Sequence, residues 1–352
     1  MLLLAIETSC DETAAAVIQR DGDDHLTVLS NIVLSQDAVH APFGGVVPEL
    51  ASRQHIRSIA PIVRESLTAA GVALEEIDHF AVTRGPGLIG SLLVGLSFAK
   101  GLAYYLQKPL IGIDHVQAHI EAVALEQPAI EFPALALIVS GGHTSLYFMK
   151  EKLRYELIGR TRDDAAGEAL DKIAKFLGLG YPGGPVIQKL GESGDPARFE
   201  FALPRMSDRS LDFSFSGMKT AALRIIRENG IARDGERLPD FLASFESAVV
   251  RALLENLFEA AERCDPKTLI LCGGVARNKR LRTEYERRSS KAGLAAIVPS
   301  PKLCTDNAAM VGALAWARIK AGMVPAERNG PPLDLDAYPR LLEGDTNRPN
   351  LG

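Results

Sequence analysis

The chain has only four cysteines in 352 residues, Cys10, Cys264, Cys272 and Cys304. No two share a short spacing, so neither a disulfide framework nor a zinc ribbon is expected, and a reducing, cytoplasmic setting fits. The sequence lacks Gly-x-Gly-x-x-Gly and Gly-x-x-x-x-Gly-Lys-Ser/Thr, which argues against a Rossmann dinucleotide site and a P-loop. It also lacks His-Glu-x-x-His: Val116 stands where that metalloprotease motif carries its base. There is no basic excess. Net charge is -5, so the chain as a whole announces no polyanionic partner. Residues 1–6 are apolar, but no basic residue precedes them and Glu7 follows at once, which reads as a buried strand rather than a targeting peptide. The longest apolar stretch, residues 88–106, is broken by Ser91, Gly95, Ser97, Lys100 and Gly101, so a packed helix is expected there and no membrane span.

What is present is an ordinary globular composition, 47% hydrophobic and 24% charged, in a chain long enough for two domains. Residues 2–6 and 14–18 read as strands around the small polar turn Glu7-Thr-Ser-Cys-Asp-Glu-Thr13. The design recurs at residues 134–139 and 145–149 around Ser140-Gly-Gly-His-Thr144. Two such hairpins suggest an internal duplication, and turns of this kind can present backbone N–H groups to an anion. Strands are expected at 80–83, 110–113 and 268–271, and helices at 88–106, 165–177, 241–264 and 308–321. Gly178-Leu-Gly-Tyr-Pro-Gly-Gly-Pro185 reads as a rigid loop. The proline-rich chain after residue 323 is expected to wrap the surface without a core of its own.

The pair in His115-Val-Gln-Ala-His119 is the sharpest chemical signal. Helical residues four apart lie on one face, so one metal ion could take both imidazoles; a packed, hydrogen-bonded pair satisfies the same spacing. A third ligand would come from another element, and Asp306 in Thr305-Asp-Asn307 is the candidate, with helix capping as its other reading. Cys272-Gly-Gly-Val-Ala-Arg-Asn278 is a strand–glycine–helix junction that suits a close ligand or merely a tight turn. Asp164, Glu168, Asp171 and Lys172 share a helix face that could be functional or simply solvated. The same choice holds for the basic run Arg277, Lys279, Arg280, Arg282, Arg287, Arg288 and Lys291.

Taken together and in order, these segments carry a resemblance. They are Ala5-Ile-Glu-Thr-Ser-Cys-Asp-Glu-Thr13, Pro42-Phe-Gly-Gly-Val-Val-Pro-Glu-Leu-Ala-Ser-Arg53, Arg84-Gly-Pro-Gly-Leu-Ile-Gly90, the histidine pair, Ser140-Gly-Gly-His-Thr144, Asp164-Ala-Ala-Gly-Glu-Ala-Leu-Asp-Lys172, Tyr181-Pro-Gly-Gly-Pro185, Phe213-Ser-Phe-Ser-Gly-Met-Lys219, Gly273-Gly-Val-Ala-Arg-Asn278 and Thr305-Asp-Asn307. Over residues 1 to 322 the chain closely resembles the bacterial tRNA adenosine threonylcarbamoyltransferase family, once misnamed O-sialoglycoprotein endopeptidase. The resemblance implies an α/β fold of two duplicated ribonuclease-H/actin-like (ASKHA) lobes with a ligand cleft between them. The first lobe is then expected over 1–131 plus 307–340, the second over 132–306, and a tail over 341–352.

The resemblance also implies the reaction: a threonylcarbamoyl group passes from threonylcarbamoyl-AMP to the N6 amine of the adenosine beside the anticodon, in tRNAs reading codons that begin with A, forming t6A and releasing AMP. It implies one divalent metal, Fe2+ with Zn2+ as the alternative, on His115, His119 and Asp306. It places the adenylate along Ile138, Val139, Ser140, Gly141 and Gly142 and at Asp171, Gly184 and Asn278. The amides of turns 9–11 and 140–142 are expected to hold the phosphate, and Asp11 and Glu12 are the candidate bases. A scaffold paralogue of the same fold and a small P-loop ATPase are the expected partners. Gln188 replaces an aspartate common in the family, and Glu246 a glutamine. Three rivals fit less well. The basic run and the tRNA-family motifs argue against a small-molecule carbamoyltransferase, the histidine helix against a sugar kinase, and the full ligand set against a non-catalytic scaffold.

Overall fold

The computed structural model describes residues 1–340 except 22–24, 128–129, 205 and 325–332, so the expected tail, 341–352, lies outside the described residues. The chain forms two compact units. The first begins with the antiparallel strands β1 (Leu2–Glu7), β2 (Glu12–Arg20) and β3 (Leu26–Ser35). It continues through α1 (Asp37–His40), α2 (Pro48–Ala70), β4 (His79–Gly85), α3 (Ile89–Leu106), β5 (Leu110–Asp114) and α4 (His115–Glu121). The sheet order is β3-β2-β1-β4-β5, with β4 and β5 parallel to β1. Strand β1 is central, and residues Leu3, Leu4, Ala5 and Ile6 are fully buried. A strand covered on both faces reads as an unbroken apolar run, which is why residues 2–6 show no alternation.

The second unit repeats this plan with β6 (Ala134–Val139), β7 (Thr144–Met149) and β8 (Glu156–Arg160). Next come α5 (Ala166–Phe176), α6 (Gly183–Gly191), α7 (Ser216–Asn229), α8 (Leu238–Cys264), β9 (Thr268–Cys272), α9 (Lys279–Ala292), β10 (Ala295–Ile297) and α10 (Pro301–Cys304). Its sheet order is β10-β9-β6-β7-β8. In both units the first strand of an antiparallel meander takes the later strands as parallel neighbours, β6 with β9 and β9 with β10. The duplication suggested by the two hairpins is thus a repeat of whole-sheet topology. The chain then returns to the first unit as α11 (Ala308–Lys320), which packs on β1, β2 and α4.

Several boundaries differ from expectation. The first unit takes the described residues of 1–40 and 46–129 and those from 305 onward, while 41–45 and 130–304 form the second. Asp306 therefore belongs to the first unit, not to the second as expected. The reason is local. The segment before α11 bonds to elements of the first unit: Asn31 Nδ2 donates to Asn307 Oδ1 at 3.5 Å, and His119 pairs with Asp306. The expected loop 178–185 is cut short because α6 already begins at Gly183. Strand β3 and helices α2 and α7 had no expectation attached. Helix α3 is long and apolar enough to cross a membrane, yet Leu92, Leu96, Ala99 and Ala103 are buried against α2 and β4 while Ile89 and Leu93 are exposed.

Candidate functional site

Strands β1, β4 and β5 run parallel within the first unit, and the histidine cluster lies at their C-terminal ends. Such ends are where open α/β sheets bind ligands, since loops there are not committed to the ladder. β5 ends at Asp114, whose Oδ1 accepts the Gln117 N–H at 2.8 Å and so starts α4 at His115. One turn later comes His119. The two buried rings meet edge to face with centroids 4.8 Å apart. Asp306 Oδ1 lies 3.0 Å from His119 Nε2 and 3.6 Å from His115 Nε2. One ligand atom from each of the three residues lies within 4.8 Å of the others. Capping, the alternative role for Asp306, belongs to its neighbour: Asn307 Oδ1 accepts the Met310 N–H at 3.1 Å.

Nothing in the sequence pattern ties Glu7 to this cluster, yet Glu7 organises it. Its carboxylate is fully buried. It accepts from Ser9 N–H and Thr83 Oγ1, each at 2.5 Å, and its Oε2 lies 3.2 Å from His115 Nδ1. Ser9 Oγ is 3.1 Å from the same nitrogen. With Nδ1 held by oxygens, Nε2 is the nitrogen turned toward Asp306, the arrangement that second-layer carboxylates give metal-binding histidines. Burial alone would lower the His115 pKa, but the carboxylates of Asp306 and Glu7 overcome it and raise it to about 9. Burial would raise Glu7, but the adjacent His115 holds it below the ordinary value. The cluster is built around a positive charge.

A divalent metal fits this donor set. Two imidazole nitrogens and one carboxylate oxygen suit a first-row ion and leave coordination positions open for oxygen ligands. His119 Nδ1, on the side of the ring away from Asp306, is buried without a hydrogen-bond partner.

The turn after β1 brings Asp11 and Glu12 into the same electrostatic field. Burial and then Asp306 push Glu12 well above the ordinary carboxylate range; Asp11 is raised first by burial as well. This turn is held by His55 of α2, another residue with no expectation attached. Its Nε2 donates to Cys10 O at 2.9 Å and its Nδ1 accepts from Thr13 Oγ1 at 2.8 Å. Burial lowers the His55 pKa, so the ring is neutral and can do both. Of the amides expected to hold the phosphate, those of Ser9 and Ser140 are used within the chain: they donate to the Glu7 carboxylate and, at 2.8 Å, to His143 O.

In the second unit the expected adenylate residues Ile138 to Gly142 lie at the end of β6 and in its turn, and Asn278 follows β9. Val139 ends β6, and the exposed Gly141 and Gly142 follow in its turn. Gly273, at φ +91°, directly follows β9, and a Cβ there would strike the carbonyl of Val139, so only glycine lets the two strand ends approach. Asp171 Oδ1 accepts the Gly183 N–H at 2.7 Å, fixing the start of α6 beside α5 and bringing Gly184 with it. Asn278 caps α9 through Leu281 N–H at 2.9 Å and donates to Glu246 Oε1 at 2.6 Å.

Gln188 accepts the Lys279 N–H at 2.8 Å, and Glu246 also takes Arg280 at 3.0 Å. Asp163 accepts from Phe215 N–H at 2.8 Å, and Asp164 binds Lys172 at 2.6 Å and Lys219 at 2.7 Å. The basic run is largely engaged too, with Arg280 on Glu246, Arg287 on Glu284, and Arg288 on Glu255 and the Phe258 ring.

Comparison with known proteins converges on one assignment. Residues 27–313 match the family described as tRNA N6-adenosine threonylcarbamoyltransferase. The chain belongs to this family. It is 52% identical over 311 residues to the protein of that name from Geotalea uraniireducens, covering 88% of this chain and 89% of the relative. Against the Syntrophomonas wolfei protein of that name, identity is 49% over 342 residues, 97% of each chain. Among solved structures, T. kodakarensis HypF aligns with a TM-score of 0.60 at 14% identity, over 91% of this chain and 48% of that one. The Acidaminococcus fermentans (R)-2-hydroxyglutaryl-CoA dehydratase component A aligns at 0.54 and 16%, over 91% and 99%. At these identities the likeness is one of fold, and it is the actin-like α/β class that the resemblance implied.

Proposed function

We propose that this chain is a tRNA N6-adenosine threonylcarbamoyltransferase that forms t6A. The observation that carries the reading is near-full-length identity to proteins of that name in a chain that keeps His115, His119 and Asp306 within one cluster. The donor is threonylcarbamoyl-AMP. The N6 amine attacks the carbamoyl carbon, a C–N bond forms, the mixed-anhydride C–O bond breaks, AMP leaves, and the amine gives up a proton. Asp11 or Glu12 would take that proton; the raised affinity of Glu12 for a proton suits it to the task. His115, His119 and Asp306 would hold one divalent metal, Fe2+ or Zn2+, with Glu7 orienting His115. When bound, that ion would neutralise charge developing on substrate oxygens. Ile138, Val139, Ser140, Gly141, Gly142, Asp171, Gly184 and Asn278 would take the adenylate. Parallel strand ends joined by close glycine turns support this reading.

The setting we infer is cytoplasmic, with a scaffold paralogue and a small P-loop ATPase as partners. Exposed Ile56 and Leu93, in an apolar patch shared by α2 and α3, support a protein partner. The basic run is mostly paired within the chain, so partners are expected to supply part of the tRNA surface. The test is reconstitution with both partners, tRNA and threonylcarbamoyl-AMP, reading the modified nucleoside by mass spectrometry. His119→Ala is expected to lose both metal and product while folding normally. Full product from the metal-free variant would sink the metal assignment, and no product from the complete system would sink the transferase reading.

A further inference from the structure

The segment 333–340 lies beyond the part of the chain that the family match covers, residues 27–313, yet it is seated firmly on the first unit. Leu335 and Ala337 pack against its hydrophobic core. Lys100 Nζ donates to Leu333 O at 2.9 Å, and Tyr338 N–H donates to Arg84 O at 2.9 Å. The Arg84 guanidinium lies over the Tyr338 ring, 5.3 Å from its centroid. Gly85, at φ +152°, makes room: a Cβ there would come within 2.6 Å of the Tyr338 ring. The chain end at β4 is therefore shaped for this tyrosine.

The tyrosine reaches one further group. Its hydroxyl donates to Asp114 Oδ2 at 2.7 Å, while Asp114 Oδ1 caps α4 through Gln117 N–H at 2.8 Å. Asp114 directly precedes His115, whose ring is held on its Nδ1 side by Glu7 and Ser9. Arg318 of α11 adds further restraint, donating to Gly112 O at 3.0 Å and Gln117 Oε1 at 2.9 Å. A two-oxygen carboxylate bonded on one side to the helix and on the other to a packed tyrosine has little freedom to rotate, so neither does the helix start.

We propose that segment 333–340 is a strap that fixes the two-histidine helix in its ligating pose, with Tyr338 as the positioning residue acting through Asp114. This rests on the reading of His115, His119 and Asp306 as metal ligands. The strap touches no ligand itself, so its effect is on how well the site is preorganised.

Tyr338→Phe keeps the ring over Gly85 and removes only the hydroxyl. In the full chain we expect its Zn2+ dissociation constant, measured against a competing chelator, to rise about tenfold. The visible absorption of the Co2+-loaded protein should shift, because ligand geometry changes, while the helical circular dichroism stays the same. Leu335→Ala, which loosens the strap without touching Asp114, is expected to give the same shift in weaker form. Unchanged Zn2+ affinity and an unchanged Co2+ spectrum in Tyr338→Phe overturn the proposal, and so does a fall in melting temperature with metal affinity intact. Failure of the functional reading is separable. Parent protein that binds Zn2+ but modifies no tRNA refutes the transferase and leaves the strap standing, whereas parent protein that binds no Zn2+ refutes the strap.

Discussion

Glu7 Oε2 lies 3.2 Å from His115 Nδ1, so the last residue of the first strand sets which face of an imidazole 108 positions later points at Asp306. The carboxylate is itself fixed by Thr83 and by the Ser9 N–H. Replacing it by glutamine keeps size and position but removes the charge that favours a cation on the ring. Glu7→Gln is expected to weaken Zn2+ binding ten- to a hundredfold, the usual cost of losing an outer carboxylate. Chelator competition measures this directly. Binding equal to the parent's would mean that Glu7 only fills space.

How much of this cluster could be read from the sequence depends on distance along the chain. His115 and His119 share one helical turn, so their spacing declares them. Asp306 could be suggested only as a donor near a helix start, and the structure separates it from Asn307, which does the capping. Glu7 and His55 left no periodic signal, because their partners lie far along the chain, Glu7's across a parallel crossover. The one clue was a charge closing a wholly apolar strand. The hairpins were legible as local alternations of strand and turn. Strand β3 and helix α7 were not, their burial being decided by tertiary neighbours. The acidic face of α5 carried no hint of its real use either, since Lys219 is contributed by a different helix.

That use makes a pH prediction. Burial would raise the Asp164 carboxyl, but Lys172 and Lys219 outweigh it and hold its pKa below the ordinary value. A depressed folded-state pKa stabilises above the unfolded value, about 3.9, and the contribution disappears as pH falls through the folded one. Asp164→Asn should therefore cost about 1 kcal/mol at pH 7, given that the lysines are partly exposed. The gap between variant and parent should narrow progressively as pH falls below about 3.9. Denaturant melts at pH 7 and pH 3 test it; a gap that is constant with pH would assign the effect to packing instead.

Asn278 carries two loads that a pair of substitutions can separate. It caps α9 and also binds Glu246. Asn278→Ala loses both and is expected to cost about 1 kcal/mol or slightly more. Asn278→Ser restores a capping oxygen but is too short for Glu246, so stability should recover most of the way. If Asn278 also contacts the adenylate, the KM for threonylcarbamoyl-AMP stays raised in both variants. A KM that recovers in the serine variant would make the residue purely a cap.

His55 offers a way to disturb the turn without touching the metal ligands. It joins Cys10 O and Thr13 Oγ1, the two ends of the stretch that carries Asp11 and Glu12. His55→Ala leaves both groups buried without that partner, which costs about 1–3 kcal/mol. The turn then loses its registration against the cluster, and displacements near 1 Å in a positioned group lower rates by about a hundredfold. The expected pattern is a kcat one to two orders of magnitude down with Zn2+ affinity within about twofold of the parent. Asparagine at 55 can donate to one of the two groups and should recover part of the rate. Metal loss in step with the loss of rate would show instead that the turn is part of the ligand framework.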